Sequence, residues 1–268
     1  MNLEKISQFI TEKEKPEKII ITGGTEGIGK AIALELIEQS HNVVICARTQ
    51  EKINEMKAKN NIEAIQLDLG ETDKIEDFVK QSAEKLGGIT TLILNAAVTG
   101  IRESKDYTFK VNRDAPISLV ESAADLLRAS SGRIVLLTSP QAKKFITGLE
   151  HYGQSKKDIE DWLKDFSSKP ENKNINIFLV NPGHVDTRMN EEAISYGPEL
   201  IKERSINAKN EGKFRDPKIV GRIISKMAIS GKKFNLETSQ YDIPIDNNEI
   251  VLISDENIEF EKNTLSEK

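Results

Sequence analysis

Short apolar runs rich in β-branched residues recur along the chain, separated by longer stretches with helical periodicity. The runs are Ile19-Ile20-Ile21, Val43-Val44-Ile45, Leu92-Ile93-Leu94, Ile134 to Leu137 and Ile177 to Val180, with Ala64-Ile65-Gln66-Leu67 as a weaker sixth. Uninterrupted runs of this length suit strands covered on both faces, as a parallel sheet requires. Between them the spacing predicts helices over about 27–39, 50–59, 72–86, 105–129, 152–168 and 216–230. Strand and helix alternate, which predicts an α/β fold with a doubly wound, mostly parallel sheet.

Two regions break the rhythm. Residues 188–213 follow the sixth run and mix Met189, Asn190 and Tyr196 with many charges. An irregular or helical insertion there would overhang the strand ends, where open α/β sheets bind ligands. The segment after Ile245 is acidic, with an apolar centre at Ile250-Val251-Leu252-Ile253 that suits either an edge strand or a solvated tail. Near the start, Leu3, Ile6 and Ile10 fall on one face of a short helix. The organisation expected is one domain over 1–245, with 1–15 as a helical extension and 246–268 as an acidic tail.

Charge sharpens this division. The chain has 268 residues and a net charge of -5, and seven acids against two bases between Asp246 and Lys268 account for all of it. The body is electrically balanced and lacks the excess Lys/Arg that nucleic acid would require. No apolar run approaches the roughly 20 residues of a membrane helix, and the lysine-rich, acid-rich N-terminus is unlike a secretory signal. A single Cys46 and three scattered histidines exclude a disulfide framework and predict no metal site. A reducing cytoplasm is the expected compartment.

Directly after the first strand comes Thr22-Gly23-Gly24-Thr25-Glu26-Gly27-Ile28-Gly29, followed by a helix. Glycines allow a tight turn and a close approach of backbone to a pyrophosphate, and the helix then points its N–H groups at the phosphates. Further along stand Asp68-Leu69, Asn95-Ala96-Ala97, Asn112, Ser139, Tyr152-Gly153-Gln154-Ser155-Lys156 and Asn181-Pro182-Gly183 with Thr187. Glycine spacing and motif order together resemble the short-chain dehydrogenase/reductase family in its compact branch, over about residues 16–240.

The resemblance implies a Rossmann-type sheet of seven strands in the order 3-2-1-4-5-6-7 and an oxidoreductase that interconverts a ketone or aldehyde and an alcohol. It implies Tyr152 as general acid/base, Lys156 one helical turn along, Ser139 holding the substrate oxygen and Asn112 holding a water behind Lys156. An ammonium beside Tyr152 would lower a phenol pKa that is otherwise about 10. For the dinucleotide it implies Thr22, Gly23, Thr25, Glu26, Gly27, Ile28 and Gly29 at the phosphates. Arg48, Thr49, Asp68 and Leu69 would meet the adenosine. Asn95, Ala96, Ala97, Tyr152, Lys156, Pro182, Gly183, Val185 and Thr187 would complete the site.

NADP(H) is favoured over NAD(H), because Ala47 stands where NAD-selective relatives place an acid and Arg48 beside it suits a 2′-phosphate. Glu26 argues the other way, since NADP-binding relatives often carry a base there. Two departures matter: Asn95 to Asn112 is a short 17-residue interval, and no Asp-Gly-Gly follows the last strand. A small-molecule carbonyl or alcohol substrate is expected, with a homodimer or homotetramer implied by the family. Pro140, Phe145, His184, Met189 and Tyr196 are candidate pocket residues, with His184 better suited to a structural role and Lys143-Lys144 to an exposed loop. The alternatives are a 3-oxoacyl-thioester reductase and a non-catalytic nucleotide-sensing or scaffold protein.

Overall fold

The computed structural model describes residues 15–229 and the strand backbone at 239–242 and 251–253. The helix expected around Leu3, Ile6 and Ile10 lies outside the described residues. Among the described residues, eight strands form one sheet: β1 (Lys18–Thr22), β2 (Asn42–Ala47), β3 (Glu63–Gln66), β4 (Thr91–Leu94), β5 (Arg133–Leu137), β6 (Asn176–Asn181), β7 (Ser239–Asp242) and β8 (Val251–Ile253). Their spatial order is β3-β2-β1-β4-β5-β6-β7-β8. The first seven pair in parallel in the expected order, and β8 adds an eighth, antiparallel to β7. The apolar centre of the acidic segment is thus an edge strand.

The strands alternate their side chains between two cores. Ile20, Val44, Leu92, Ile134 and Leu136 point to one face, where they meet α3 (Ile75–Leu86), α5 (Ala115–Ser130) and α6 (Glu150–Ser168). Ile19, Ile21, Val43, Ile45, Ile93 and Val135 point to the other, against α1 (Gly27–Glu38), α2 (Gln50–Lys59) and α9 (Pro217–Ile229). Burial on both faces is why these strands read as unbroken apolar runs.

Two details bear on function. The helix expected over 105–129 is interrupted: α4 (Lys105–Phe109) passes through one wide π turn, Lys110–Asp114, before α5 begins. The region after β6 folds into two helices, α7 (Arg188–Tyr196) and α8 (Glu199–Asn210). Parallel pairing brings the carboxyl ends of β1, β2, β4, β5 and β6 to one edge, and the cleft lies there.

Candidate active site

The glycine loop is held by neighbours on both sides. Gly23 and Gly24 N–H groups donate to the Cys46 carbonyl at 2.9 and 3.2 Å. Thr22 Oγ1 accepts from the Asn95 and Ala96 N–H groups, both at 3.0 Å, while Asn95 Nδ2 donates to the Thr22 carbonyl at 2.9 Å. Gly23 and Gly27 take φ of +69° and +52°, a region that favours glycine. A Cβ on Gly29 would lie 2.3 Å from the Gly23 carbonyl oxygen and 2.4 Å from Asn95 Nδ2. α1 starts at Gly27, and its N-cap Glu26 makes no capping bond through its side chain. Its first N–H groups and the positive end of its dipole are therefore left for an anion. This loop fits a pyrophosphate.

A cleft of about 550 Å³ runs from this loop across the strand ends. Gly23, Thr25, Glu26, Gly27, Ile28, Arg48, Thr49, Asp68, Leu69, Asn95, Ala96, Ala97, Tyr152, Lys156, Pro182 and Thr187 line it. Thr22, Gly29, Gly183 and Val185 are not in the lining. Thr22 is buried beneath the loop and Gly29 gives α1 its close approach to it. Val185 is buried in a bridge to Arg215, and Gly183 turns at φ +70° against the Arg215 guanidinium. All four shape the loops that border the cleft.

Lys156 and Tyr152 project from α6 toward the end of β5. Lys156 is 2% exposed, and its Nζ donates to the Leu137 carbonyl at 2.9 Å. Burial pulls the ammonium pKa down to about 8, against the opposing pull of the Glu160 carboxylate. Thr138 and Glu160 side chains hydrogen-bond one turn further along α6. The Tyr152 hydroxyl hydrogen-bonds Ser139, but burial outweighs that contact and pushes the phenol up to about 12. This differs from the effect expected of a neighbouring ammonium. Desolvation dominates, with Lys156 Nζ 5.8 Å from the ring centroid. Tyr152 therefore carries its proton throughout the neutral range, the state an acid needs.

Asn112 sits in the π turn and is 1% exposed. Its side chain accepts from Val98 N–H and donates to Val98 carbonyl, both at 2.9 Å, and donates to Ser155 Oγ at 3.1 Å. Ser155 Oγ in turn donates to the Tyr152 carbonyl at 2.8 Å. The amide thus ties the loop after β4 to the helix that carries Tyr152. Ser139 opens a short turn and accepts from Gln141 N–H at 3.3 Å; it stands beside Tyr152 but outside the lining of the cleft.

Of the candidate pocket residues, Met189 lines the cleft, whereas Phe145 and Tyr196 are largely exposed. Arg102 stacks over Tyr196 at 4.6 Å. His184 stacks on Phe214, with ring centroids 5.9 Å apart, and Pro140, Lys143 and Lys144 are exposed beyond the rim. Several lining residues carry no motif: Lys52, Thr99, Arg102, Glu103, Tyr107, Arg188 and Glu192. Lys52 was within reach of sequence reasoning, since it stands four residues after Arg48, in the first turn of α2. Glu26 pairs with Lys52 and lies 3.7 Å from Arg188, so the acid in the glycine loop is flanked by two cations. Thr99 donates to Glu192 at 2.7 Å, which ties α7 to the loop after β4.

A doubly wound sheet with a glycine-loop crossover, and a tyrosine and lysine one turn apart over β5, defines an oxidoreductase class. Residues 17–196 match the short chain dehydrogenase family, and the chain belongs to it as a dehydrogenase/reductase enzyme. The non-catalytic alternative is thereby set aside. The (S)-benzoin-forming benzil reductase of Saccharomyces cerevisiae is 24% identical over 237 residues, covering 80% of this chain and 90% of that one. A 3-oxoacyl-[acyl-carrier-protein] reductase of Staphylococcus aureus is 24% identical over 229 residues, or 80% and 92% of the two chains. Among solved structures, a short chain dehydrogenase from Burkholderia cenocepacia in complex with NADP superposes with a TM-score of 0.71. It is 23% identical, with 87% of this chain and 98% of that chain covered.

Among the described residues no group of His, Cys, Asp and Glu could hold a metal ion. Within the same residues, no helix is long and apolar enough to cross a membrane.

Proposed function

We propose that this enzyme is an NADP(H)-dependent carbonyl reductase that uses Tyr152 as the general acid. The observation that carries the reading is the Ser139–Tyr152–Lys156 cluster at the end of β5, with Lys156 buried and the other two half-buried, beside a loop that fits a pyrophosphate. When bound, the reduced nicotinamide supplies the hydride. Ser139 and Tyr152 hydrogen-bond the carbonyl oxygen, which orients it and polarises the bond. Tyr152 transfers its proton to that oxygen as charge develops, and the Lys156 ammonium stabilises the phenolate left behind. Asn112 holds Val98 and Ser155, and so keeps the helix carrying Tyr152 in register with the loop; a water behind Lys156 would rest on its backbone. Run backwards, the same groups oxidise an alcohol.

The apolar side chains Ile101, Ile146, Leu149, Ala193 and Ile201 cluster against Tyr152. They pack on Tyr152 outside the cleft lining, and the preference for an apolar ketone or diketone rests on the benzil reductase relative. The second reading, a 3-oxoacyl-thioester reductase, is favoured by the Staphylococcus aureus relative; a preference for 3-oxoacyl thioesters over benzil-like diketones would select it. A pH profile offers a further check. Lys156 is charged below about 8 and neutral above it, while the Tyr152 proton is lost only near 12. The kcat/KM for reduction, which reports the free enzyme, is expected to be flat below that first value and to decline above it. A profile still flat two units higher would remove Lys156 from the chemistry.

For the cofactor, Arg48 and Lys52 both line the adenosine end of the cleft, and no acid stands at Ala47. A 2′-phosphate there would meet two cations, although Glu26 draws Lys52 toward itself. Arg48→Ala is expected to weaken NADPH about tenfold, the scale of one charge-assisted hydrogen bond, and to leave NADH nearly unchanged. Equal Kd values for the two coenzymes in the parent enzyme would contradict the preference. The localisation consistent with the reading is cytoplasmic, and a homodimer or homotetramer is the assembly to test by light scattering.

A further inference from the structure

At the adenosine end of the cleft, the Tyr107 ring of α4 packs on Gly70, just beyond the end of β3. A Cβ on Gly70 would lie 2.4 Å from the ring. The Tyr107 hydroxyl donates to Asp68 Oδ1 at 2.7 Å and accepts from Arg48 Nη1 at 3.0 Å. Asp68 Oδ1 also accepts from Gly70 N–H at 2.8 Å, and the Arg48 carbonyl accepts from Gln66 Nε2 at 2.9 Å. One phenol oxygen therefore stands between a carboxylate and a guanidinium, both of them in the lining of the cleft.

That placement solves a chemical difficulty. Arg48 stands near two acids, Asp68 and Glu103. Burial opposes its charge, but Tyr107, Asp68 and Glu103 outweigh burial and hold its pKa above the usual arginine value. An arginine free to close on Asp68 would be neutralised locally and turned away from an incoming anion. The phenol prevents this: it satisfies one of the five guanidinium donors with a neutral acceptor and occupies the carboxylate oxygen nearest to it. The other Asp68 oxygen is left for a donor such as an exocyclic amine.

We propose that Tyr107 is a specificity-determining positioning residue. It holds Arg48 and Asp68 apart so that each can meet a 2′-phosphorylated adenosine, the guanidinium at the phosphate and the carboxylate at the amine of the base. This rests on the NADP(H) reading above, and the test separates the two. Dissociation constants for NADPH and NADH are measured by fluorescence titration of the full chain carrying Tyr107→Phe, Arg48→Ala or both. Tyr107→Phe retains the ring on Gly70. It is expected to weaken NADPH about tenfold, the scale of one hydrogen bond to a charged group, and to weaken NADH much less. The double variant should shift the NADPH/NADH ratio no further than Arg48→Ala alone. If Arg48→Ala raises the NADPH/NADH ratio of dissociation constants while Tyr107→Phe leaves it unchanged, or weakens both coenzymes equally, the proposal fails and the cofactor reading stands. A ratio insensitive to Arg48→Ala overturns both. Gly70→Ala, which displaces the ring and keeps the hydroxyl, carries the same expectation by an independent route should Tyr107→Phe melt early.

Discussion

Tyr152→Phe is expected to lower kcat for carbonyl reduction by about 10²–10⁴-fold, the contribution of a positioned general acid, while dinucleotide affinity stays close to that of the parent. The substitution removes one oxygen. It keeps the ring among Ile101, Ile146, Leu149, Ala193 and Ile201, so the fold should be unaffected. What is lost is the proton donor at the substrate oxygen and the hydrogen bond that Ser139 makes to it. Because burial holds the phenol up to about 12, the parent enzyme is fully protonated across the neutral range. The defect should therefore be nearly independent of pH between 6 and 8, as an acid missing at every pH requires. Turnover in the variant within a few-fold of the parent would mean that another group delivers the proton.

Gly29→Ala is expected to cost both stability and cofactor binding. The new methyl would lie 2.3 Å from the Gly23 carbonyl oxygen and 2.4 Å from Asn95 Nδ2, with backbone on one side and a doubly bonded amide on the other. Neither can yield without moving the glycine loop. Overpacking of this kind costs about 1–3 kcal/mol, and each kcal/mol is about 2–4 °C of Tm for a domain of 150–250 residues. The displaced loop also no longer matches a pyrophosphate, so NADPH affinity should fall by more than Tm alone suggests. Calorimetry and a fluorescence titration on the same preparation check both parts. A variant that melts like the parent and binds NADPH as well would show that α1 and the loop are less tightly coupled than these distances indicate.

The strands were legible because they are buried on both faces. Ile19-Ile20-Ile21 has no polar interruption, since each side chain meets a helix layer above or below. The helices α1, α2, α3, α6 and α9 followed from amphipathic spacing, with ends within a few residues of those expected. The π turn at Lys110–Asp114 was not legible, because one widened turn barely alters the spacing of apolar residues around it. α7 and α8 were left open between irregular and helical structure. Their charges are dense and their buried faces narrow, with Ala193 the single buried side chain of α7.

The site divides in the same way. Residues whose role depends on backbone shape or on spacing within one element, such as Gly27 or the Tyr152–Lys156 pair, announce themselves. Tyr107 does not: its contacts with Gly70 and Asp68 are tertiary and leave no local signature. Thr22 and Val185 present the opposite case. Each belongs to a motif that touches the cleft, yet its own side chain is buried in the loop it supports.

The central claim is that the chain transfers a hydride from a nicotinamide to a carbonyl carbon through the Tyr152 cluster. The most direct measurement incubates the enzyme with NADPH carrying deuterium at the reactive C4 position and a panel of aryl diketones, simple ketones and 3-oxoacyl thioesters, followed by mass spectrometry of the products. The account predicts an alcohol with one deuterium on the former carbonyl carbon, formed by the parent and nearly absent with Tyr152→Phe. NADPH binding without deuterium transfer to any member of the panel, or equal transfer by parent and variant, would contradict it.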